Sequence, residues 1–273
     1  MKKYLGKFGT YVLLVAIAIF LTFPFLWVLA TSFKGRQETI FSYPPVWIPM
    51  FPTWENYQAV FNQVNILRCF INSIIVTSIG VFLNVITAAL AAYPIARMQF
   101  WGKRFIFALI LAPMMIPIQG TMIVNFLTLK QLHLLDTYLG AVITTAVFII
   151  GVFVMKNAFE AIPHEIEEAA RVDGCGEFKM WRRIMLPMIK PTLAAVAILG
   201  FVYYWNDFMW PLIVLRDANK ITLQIGLTRL ESAFQTNYRY VAAGAVMSMI
   251  PILVFFAFTQ KYFIEGAKGA IKG

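Results

Sequence analysis

Residues 162–191 read IPHEIEEAARVDGCGEFKMWRRIMLPMIKP, a stretch dense in charge within a chain that is otherwise poor in it. The wider segment 156–190 holds six of the 23 Lys and Arg and six of the 13 Asp and Glu, so it is electrically neutral while the whole chain carries +10. Outward from it, uncharged runs extend over 8–33, 69–96, 105–129, 137–155 and 241–260, and a sixth, 191–215, contains only Asp207. About 20 apolar residues cross a hydrocarbon core roughly 30 Å thick. Backbone polar groups in lipid must be satisfied within the segment, which makes such runs helices. The expectation is an all-α integral membrane protein with six transmembrane helices and a single transmembrane domain over 1–273.

Composition supports the bilayer as solvent. Hydrophobic residues make up 60% of the 273 and charged residues 13%, with a mean hydropathy of +0.73. Soluble domains are roughly 45–50% apolar and 25% charged. Cys69 and Cys175 offer no disulfide framework or CxxC site, and His133 and His164 are the only histidines. A metal centre or a histidine-based catalytic site has little to build with. The basic charge does not point to nucleic acid, because it sorts by side. With the N-terminus inside, 15 Lys and Arg fall inside and 8 outside, which predicts that both termini are cytoplasmic. The first uncharged run is 26 residues, longer than the roughly 7–15 of a signal-peptide core, so an uncleaved first helix is expected.

Within 162–191, Pro163 suits a first helical position, and Glu165, Glu167 and Glu168 suit the positive end of a helix dipole. Gly174 or Gly176 can take the left-handed conformation that ends a helix. A helix over about 163–173, a glycine turn, and a second helix from about Glu177 to Leu186 stopping near Pro187 are predicted. Ile162, Ile166, Ala169 and Ala170 should share one face of the first, and Phe178, Trp181 and Met185 one side of the second. The residues alone also allow a pair of helices on lipid headgroups with local pairs such as Glu167–Arg171.

Glu168-Ala169-Ala170, then Gly174, then Ile184-x-Leu186-Pro187 resembles the E-A-A-x3-G-x9-I-x-L-P motif of ABC importer permeases. Asn72-Ser73, Ala92-Tyr93-Pro94-Ile95-Ala96-Arg97 and Trp205-Asn206-Asp207-Phe208-Met209-Trp210-Pro211-Leu212 are similar to the carbohydrate-uptake branch, as is the ending from Gln260 to Gly273. Cys175 departs from the small Ala or Ser more usual there. The resemblance implies a type I importer transmembrane domain with a core at about 68–262. Such a subunit is non-catalytic. It pairs with a second permease as a heterodimer, with two ATPase subunits that use ATP and Mg, and with an extracytoplasmic substrate-binding protein in a bacterial or archaeal cytoplasmic membrane. The chain itself would bind no cofactor, metal or nucleic acid, and it contains no G-x-x-x-x-G-K-[ST] phosphate loop.

By the same resemblance the E-A-A segment is the coupling helix, seated in the ATPase. Glu168 would supply a polar contact, Ala169 and Ala170 close approach, and Asp173-Gly174 the turn, with Ile184, Leu186 and Pro187 completing the motif. The outer loop 216–240 would touch the binding protein, and the C-terminal end, with Lys268, Lys272 and Gly273, would reach the ATPases or basic-tail contacts with anionic lipid. For the substrate path, Asp207 is the one ionisable residue inside an expected span, beside Asn206 and flanked by Trp205 and Trp210. Gln119 and Asn125 are further polar candidates, and an interfacial structural role for Asp207 is the alternative. A secondary transporter would want several intramembrane acids, and a membrane enzyme a His, Asp or Cys cluster at the boundary. One carboxylate and two histidines favour neither.

Overall fold

The computed structural model describes residues 2–230 and 237–270, with side chains over 7–230 and 237–260. Fourteen helical segments follow one another among the described residues. They are α1 (Lys2–Phe33), α2 (Glu55–Gln63), α3 (Ile66–Arg97), α4 (Lys103–Leu111), α5 (Ile118–Gln131), α6 (Gly140–Ile143), α7 (Ile149–Glu160), α8 (His164–Val172), α9 (Glu177–Met180), α10 (Leu186–Met188), α11 (Lys190–Asn206), α12 (Met209–Val214), α13 (Leu223–Thr228) and α14 (Tyr238–Ala270). A 3-10 turn, Ala112–Met115, follows α4, and a π turn, Trp181–Met185, joins α9 to α10. The one β-type pairing among the described residues is the isolated bridge between Lys34 and Pro52.

The apolar runs differ in continuity. Three helices are long and apolar enough to cross a membrane, at 7–33, 66–97 and 238–260. Pro24, Pro94 and Pro251 sit inside them without ending them. The run 105–129 is instead bent by 103° between α4 and α5. Two prolines explain this. Pro117 lacks an N–H and pushes the preceding Ile116 to extended angles (φ −98°, ψ 123°), while Pro113 sits in the 3-10 turn. The run 191–215 is α11 followed by α12, broken at Asp207-Phe208, and α11 meets the preceding helical pair at 80°. The run 137–155 is interrupted between α6 and α7. Counting each bent pair as one span gives up to five.

The chain divides into two compact units. The first comprises 1–67 and 226–251. None of the strongly apolar window of α1 is buried, which suits a helix with lipid as its solvent. After α1 the backbone turns back on itself. Thr53 N donates to Phe33 O (2.9 Å), and Asn56 Nδ2 donates to Ser32 O (2.8 Å) and Lys34 O (2.9 Å). Glu38 closes the loop by accepting the amides of Phe51 (2.9 Å), Met50 (3.1 Å) and Gly35 (3.3 Å). Burial pushes the Glu38 carboxyl up, but these three amides and the Lys34 charge outweigh burial and hold it below its ordinary value. Buried Lys34 places its ammonium 4.8 Å from the Trp27 ring centroid.

The second unit comprises 68–225 and 252–273, and α3 is its spine. Near its start, Asn72 Nδ2 donates to Asn219 O (2.9 Å) and Ile221 O (2.8 Å), and Ser73 Oγ accepts Leu223 N (2.7 Å). Tyr138 donates to Asn72 Oδ1 (2.7 Å). These bonds pin the loop after α12, whose beginning is held by Asp136 accepting the amides of Arg216 (3.0 Å) and Asp217 (3.1 Å). Burial raises the Asp136 carboxyl, yet those amides and Lys220 bring it below the ordinary range. Twelve residues along α3 from Asn72, at a rise of about 1.5 Å each, Asn84 meets the break between α6 and α7. At its far end, Tyr93 and Arg97 meet α8 and α9.

Candidate functional site

The site is the segment 162–191 together with the Arg97 end of α3. The first helix starts at His164, with Pro163 in the N-cap position, and ends at Val172. Its end is fixed by glycine geometry. Gly174 has φ +73°, Cys175 N donates to Ala170 O (2.9 Å), and Gly174 N donates to Arg171 O (3.0 Å). This pair of bonds is the glycine C-cap expected at such a helix end. A Cβ at Gly174 would meet nothing within 4 Å, so the position demands glycine for backbone strain and not for space.

The second helix begins at Glu177 and ends near Pro187 as expected, running one residue past it to Met188 and turning at Ile189 (φ −100°, ψ 21°). The π turn Trp181–Met185 ends one residue short of Pro187, where the wider turn relieves the missing N–H. Trp181 and Met185 are buried as expected, whereas Phe178 is 67% exposed.

The apolar face of α8 is also narrower than the pattern implied. Ile162 and Ala170 are buried and Ile166 packs against the same core with Met155, Phe159, Met180 and Met185, but Ala169 is exposed. The inward arc centres on Ala170 with Ile166 and Glu167 on either side of it, and Ala169, about 100° round the helix from Ala170, falls outside that arc. Exposed together are Glu165, Glu168, Ala169, Val172 and Asp173, with Val172 at 87%. The motif residues thus divide. Glu168, Ala169, Asp173, Gly174 and Pro187 are exposed, while Ala170, Ile184 and Leu186 pack inward.

What anchors α8 was not foreseen. Glu167 lies 3.9 Å from Arg171, the local pair, but only 2.8 Å from Arg97 Nε, as an ion pair off hydrogen-bond alignment. Both side chains are almost fully buried, at 2% and 3%. Arg97 also donates through Nη2 to Ile162 O and approaches the His164 ring at 3.3 Å through Nη1. Arg171 then pairs with Glu177 (3.1 Å), which accepts the Tyr93 hydroxyl (2.9 Å). One chain of contacts, Tyr93–Glu177–Arg171–Glu167–Arg97, therefore fastens both short helices to the end of α3. A buried guanidinium needs several acceptors at once, and the fork of Arg97 finds them on the connection leading into α8.

The other candidates are dispersed. Trp205 and Trp210 are buried in packing, Trp205 stacked on Phe201 at 5.6 Å. Asn206 is exposed and donates to Val202 O in its own helix (2.8 Å). Asp207 accepts Trp210 N (3.4 Å) at the start of α12. Gln119 is exposed and Asn125 half-buried, both on α5. Lys268 is on α14 beyond its described side chains, and Lys272 and Gly273 lie outside the described residues.

Residues 84–265, more than half of the chain and including this whole segment, match the binding-protein-dependent transport system inner membrane component family. The chain belongs to that family. It is 35% identical over 260 residues to the arabinooligosaccharides transport system permease protein AraQ of Halalkalibacterium halodurans, covering 94% of this chain and 93% of that one. It is 33% identical over 265 residues to the melibiose/raffinose/stachyose import permease protein MelC of Bacillus subtilis, covering 95% and 94%. Among solved structures it superposes, with a TM-score of 0.82 and 26% identity, on a chain of a bacterial ABC transporter that imports the acidic polysaccharide alginate, over 96% of this chain and 98% of that one.

Proposed function

We propose that this chain is one of two permease subunits of an importer for an oligosaccharide, with α8 as the helix through which separate ATPase subunits drive it. The chain is a permease subunit of a binding-protein-dependent ABC importer, a membrane component without catalytic chemistry of its own. The carbohydrate class follows from relatives named for arabinooligosaccharides and for melibiose, raffinose and stachyose. The observation that carries the coupling role is the pairing of a buried anchor with an exposed face on one nine-residue helix. Glu167 and Ala170 hold α8 to its own chain, leaving Glu165, Glu168, Ala169 and Val172 free for a partner. Small Ala169 allows close approach, and exposed Val172 and Phe178 supply apolar contact.

In this reading the apolar runs form six spans around a core at about 68–262, with both termini and α8 in the cytoplasm. A second permease completes the path, ATP and Mg are used by the ATPases, and a binding protein delivers the sugar to the opposite face. Gln119, Asn125, Asn206 and Asp207 are the polar groups assigned to the path, together with Trp205 and Trp210, which flank Asn206 and Asp207 in sequence. The terminal segment with Lys268, Lys272 and Gly273 is assigned to the ATPase side.

The direct test is the assembled transporter in nanodiscs with its binding protein, assayed for ATP hydrolysis against neutral oligosaccharides, alginate oligomers and glycerol-3-phosphate. Several-fold stimulation by one saccharide is expected. Stimulation by an amino acid or peptide, with none by any sugar, would sink the carbohydrate assignment. Orientation has a native probe in Cys175, half-buried beside Gly174, since the other cysteine, Cys69, is buried. A membrane-impermeant maleimide should label Cys175 in inside-out vesicles and not in intact cells, and the reverse pattern would invert the topology.

A further inference from the structure

No glycine or proline lies within 144–148, yet the helix is interrupted there, between α6 and α7. An interruption within an apolar run frees carbonyls that lipid cannot satisfy, at a cost of several kcal/mol each. Here they are met by side chains of two other helices. The Asn84 amide has its nitrogen toward Thr145 O (3.1 Å), Ala146 O (3.0 Å) and the Tyr204 oxygen (3.2 Å), the orientation in which each contact joins a donor to an acceptor. The Tyr204 hydroxyl donates to Thr145 O (3.0 Å) and lies 3.0 Å from Thr145 Oγ1. Thr87 Oγ1 lies 2.7 Å from Ala146 O and 2.7 Å from Leu83 O of its own helix, so its one proton is shared between the break and α3. Asn84 is fully buried and Tyr204 nearly so. Gly80 leaves room for the Tyr204 ring, since any Cβ there would run into it. The break is therefore fastened by α3 and α11 in place of its own ladder.

Its position along the chain gives it a use. From Ile149, α7 runs unbroken to Glu160, and after a three-residue connection α8 begins. A force on α8 thus reaches α7 almost directly. A continuous helix would carry that displacement through the whole span as a rod. A joint whose carbonyls are held by hydroxyl and amide side chains lets α7 tilt while α6 stays, because those donors can follow or exchange over small distances.

We propose that Thr144–Phe148 is an articulation that separates the motion of α7 from that of α6, and that Asn84, Thr87 and Tyr204 are positioning residues for transport that set its register. The proposal rests on the permease reading and deepens it. Spin labels at exposed Leu139 and Phe153 span the joint, and labels at exposed Ile74 and Leu90 span a comparable length of uninterrupted α3. In the assembled transporter, the distance across the joint should change between the nucleotide-free and vanadate-trapped states while the α3 distance does not. Equal behaviour of the two pairs overturns the articulation.

Tyr204→Phe should leave assembly and basal ATP hydrolysis intact but lower sugar imported per ATP by roughly five-fold, the worth of one neutral hydrogen bond. Wild-type stoichiometry in Tyr204→Phe overturns its positioning role. Should that variant not assemble, Thr87→Val reads the same quantity, with Thr87→Ser expected to restore it. A wild-type complex that imports sugar with an unchanging distance across the joint defeats this proposal alone, whereas a chain that never assembles with an ATPase defeats the permease reading itself.

Discussion

Replacing Glu167 with glutamine should destabilise the protein by about 3–5 kcal/mol, because it leaves the Arg97 guanidinium buried without a counter-charge. Few single changes in this chain should cost more. The Arg97 and Glu167 side chains are 2% and 3% exposed, so water cannot replace the lost carboxylate. Arg171, 3.9 Å from Glu167, would gain little relief, since it is half-exposed and already paired with Glu177. The check is thermal unfolding of the purified complex, with a drop on the order of 10 °C expected for such a loss. Arg97→Lys should fail in a related way, because an ammonium cannot reach Glu167, Ile162 O and His164 together. The double variant Arg97→Met with Glu167→Leu should recover part of the loss, since removing both charges abolishes the desolvation penalty as well as the attraction. A Glu167→Gln protein as stable as the wild type would mean that the pair does not anchor α8.

The anchor shows why parts of the site were legible in the sequence and parts were not. The helix and its glycine end were readable, because capping and charge placement act within a few residues, whereas the outward role of Glu168 rested on the motif resemblance. Glu167 was readable only as a partner for Arg171 at i+4, since the pairing with Arg97 joins positions 70 residues apart. A buried arginine also looks like any other Lys or Arg at the end of an apolar run, where a lipid-facing interface would give it the same place. The bend between α4 and α5 has a local cause in Pro113 and Pro117, which the sequence displays, though nothing local sets its angle of 103°. The break at 144–148 had no such marker. Only β-branched Val142, Ile143, Thr144, Thr145 and Val147 lower helix propensity there, and they do so weakly. What completes it are donors on α3 and α11, which no local pattern reveals. Ala169 marks the opposite limit: its spacing suggested an inward face, and a turn of the helix put it outside.

That outward position makes Ala169→Trp the sharpest test of what α8 is for. The residue is exposed, so the larger side chain meets solvent in the free subunit and should change its stability by no more than about 0.5 kcal/mol. Seated against an ATPase, the same ring would overfill a contact shaped for a methyl group, at about 1–3 kcal/mol. Co-purification with the ATPase should then fall roughly 10- to 100-fold, or hydrolysis should persist without import. Val172→Asp should act in the same direction by desolvating a charge in the contact, whereas Ala169→Ser should be close to silent. Gly174→Trp is a less clean probe, because its positive φ strains the free subunit too. If α8 docks as proposed, folding and docking draw on opposite faces of one helix, and their variants should separate. Glu167→Gln lowers thermal stability first and coupling only as a consequence, while Ala169→Trp spares stability and removes coupling. If Ala169→Trp and Val172→Asp both assemble and import like the wild type, the exposed face of α8 is not where the motor binds.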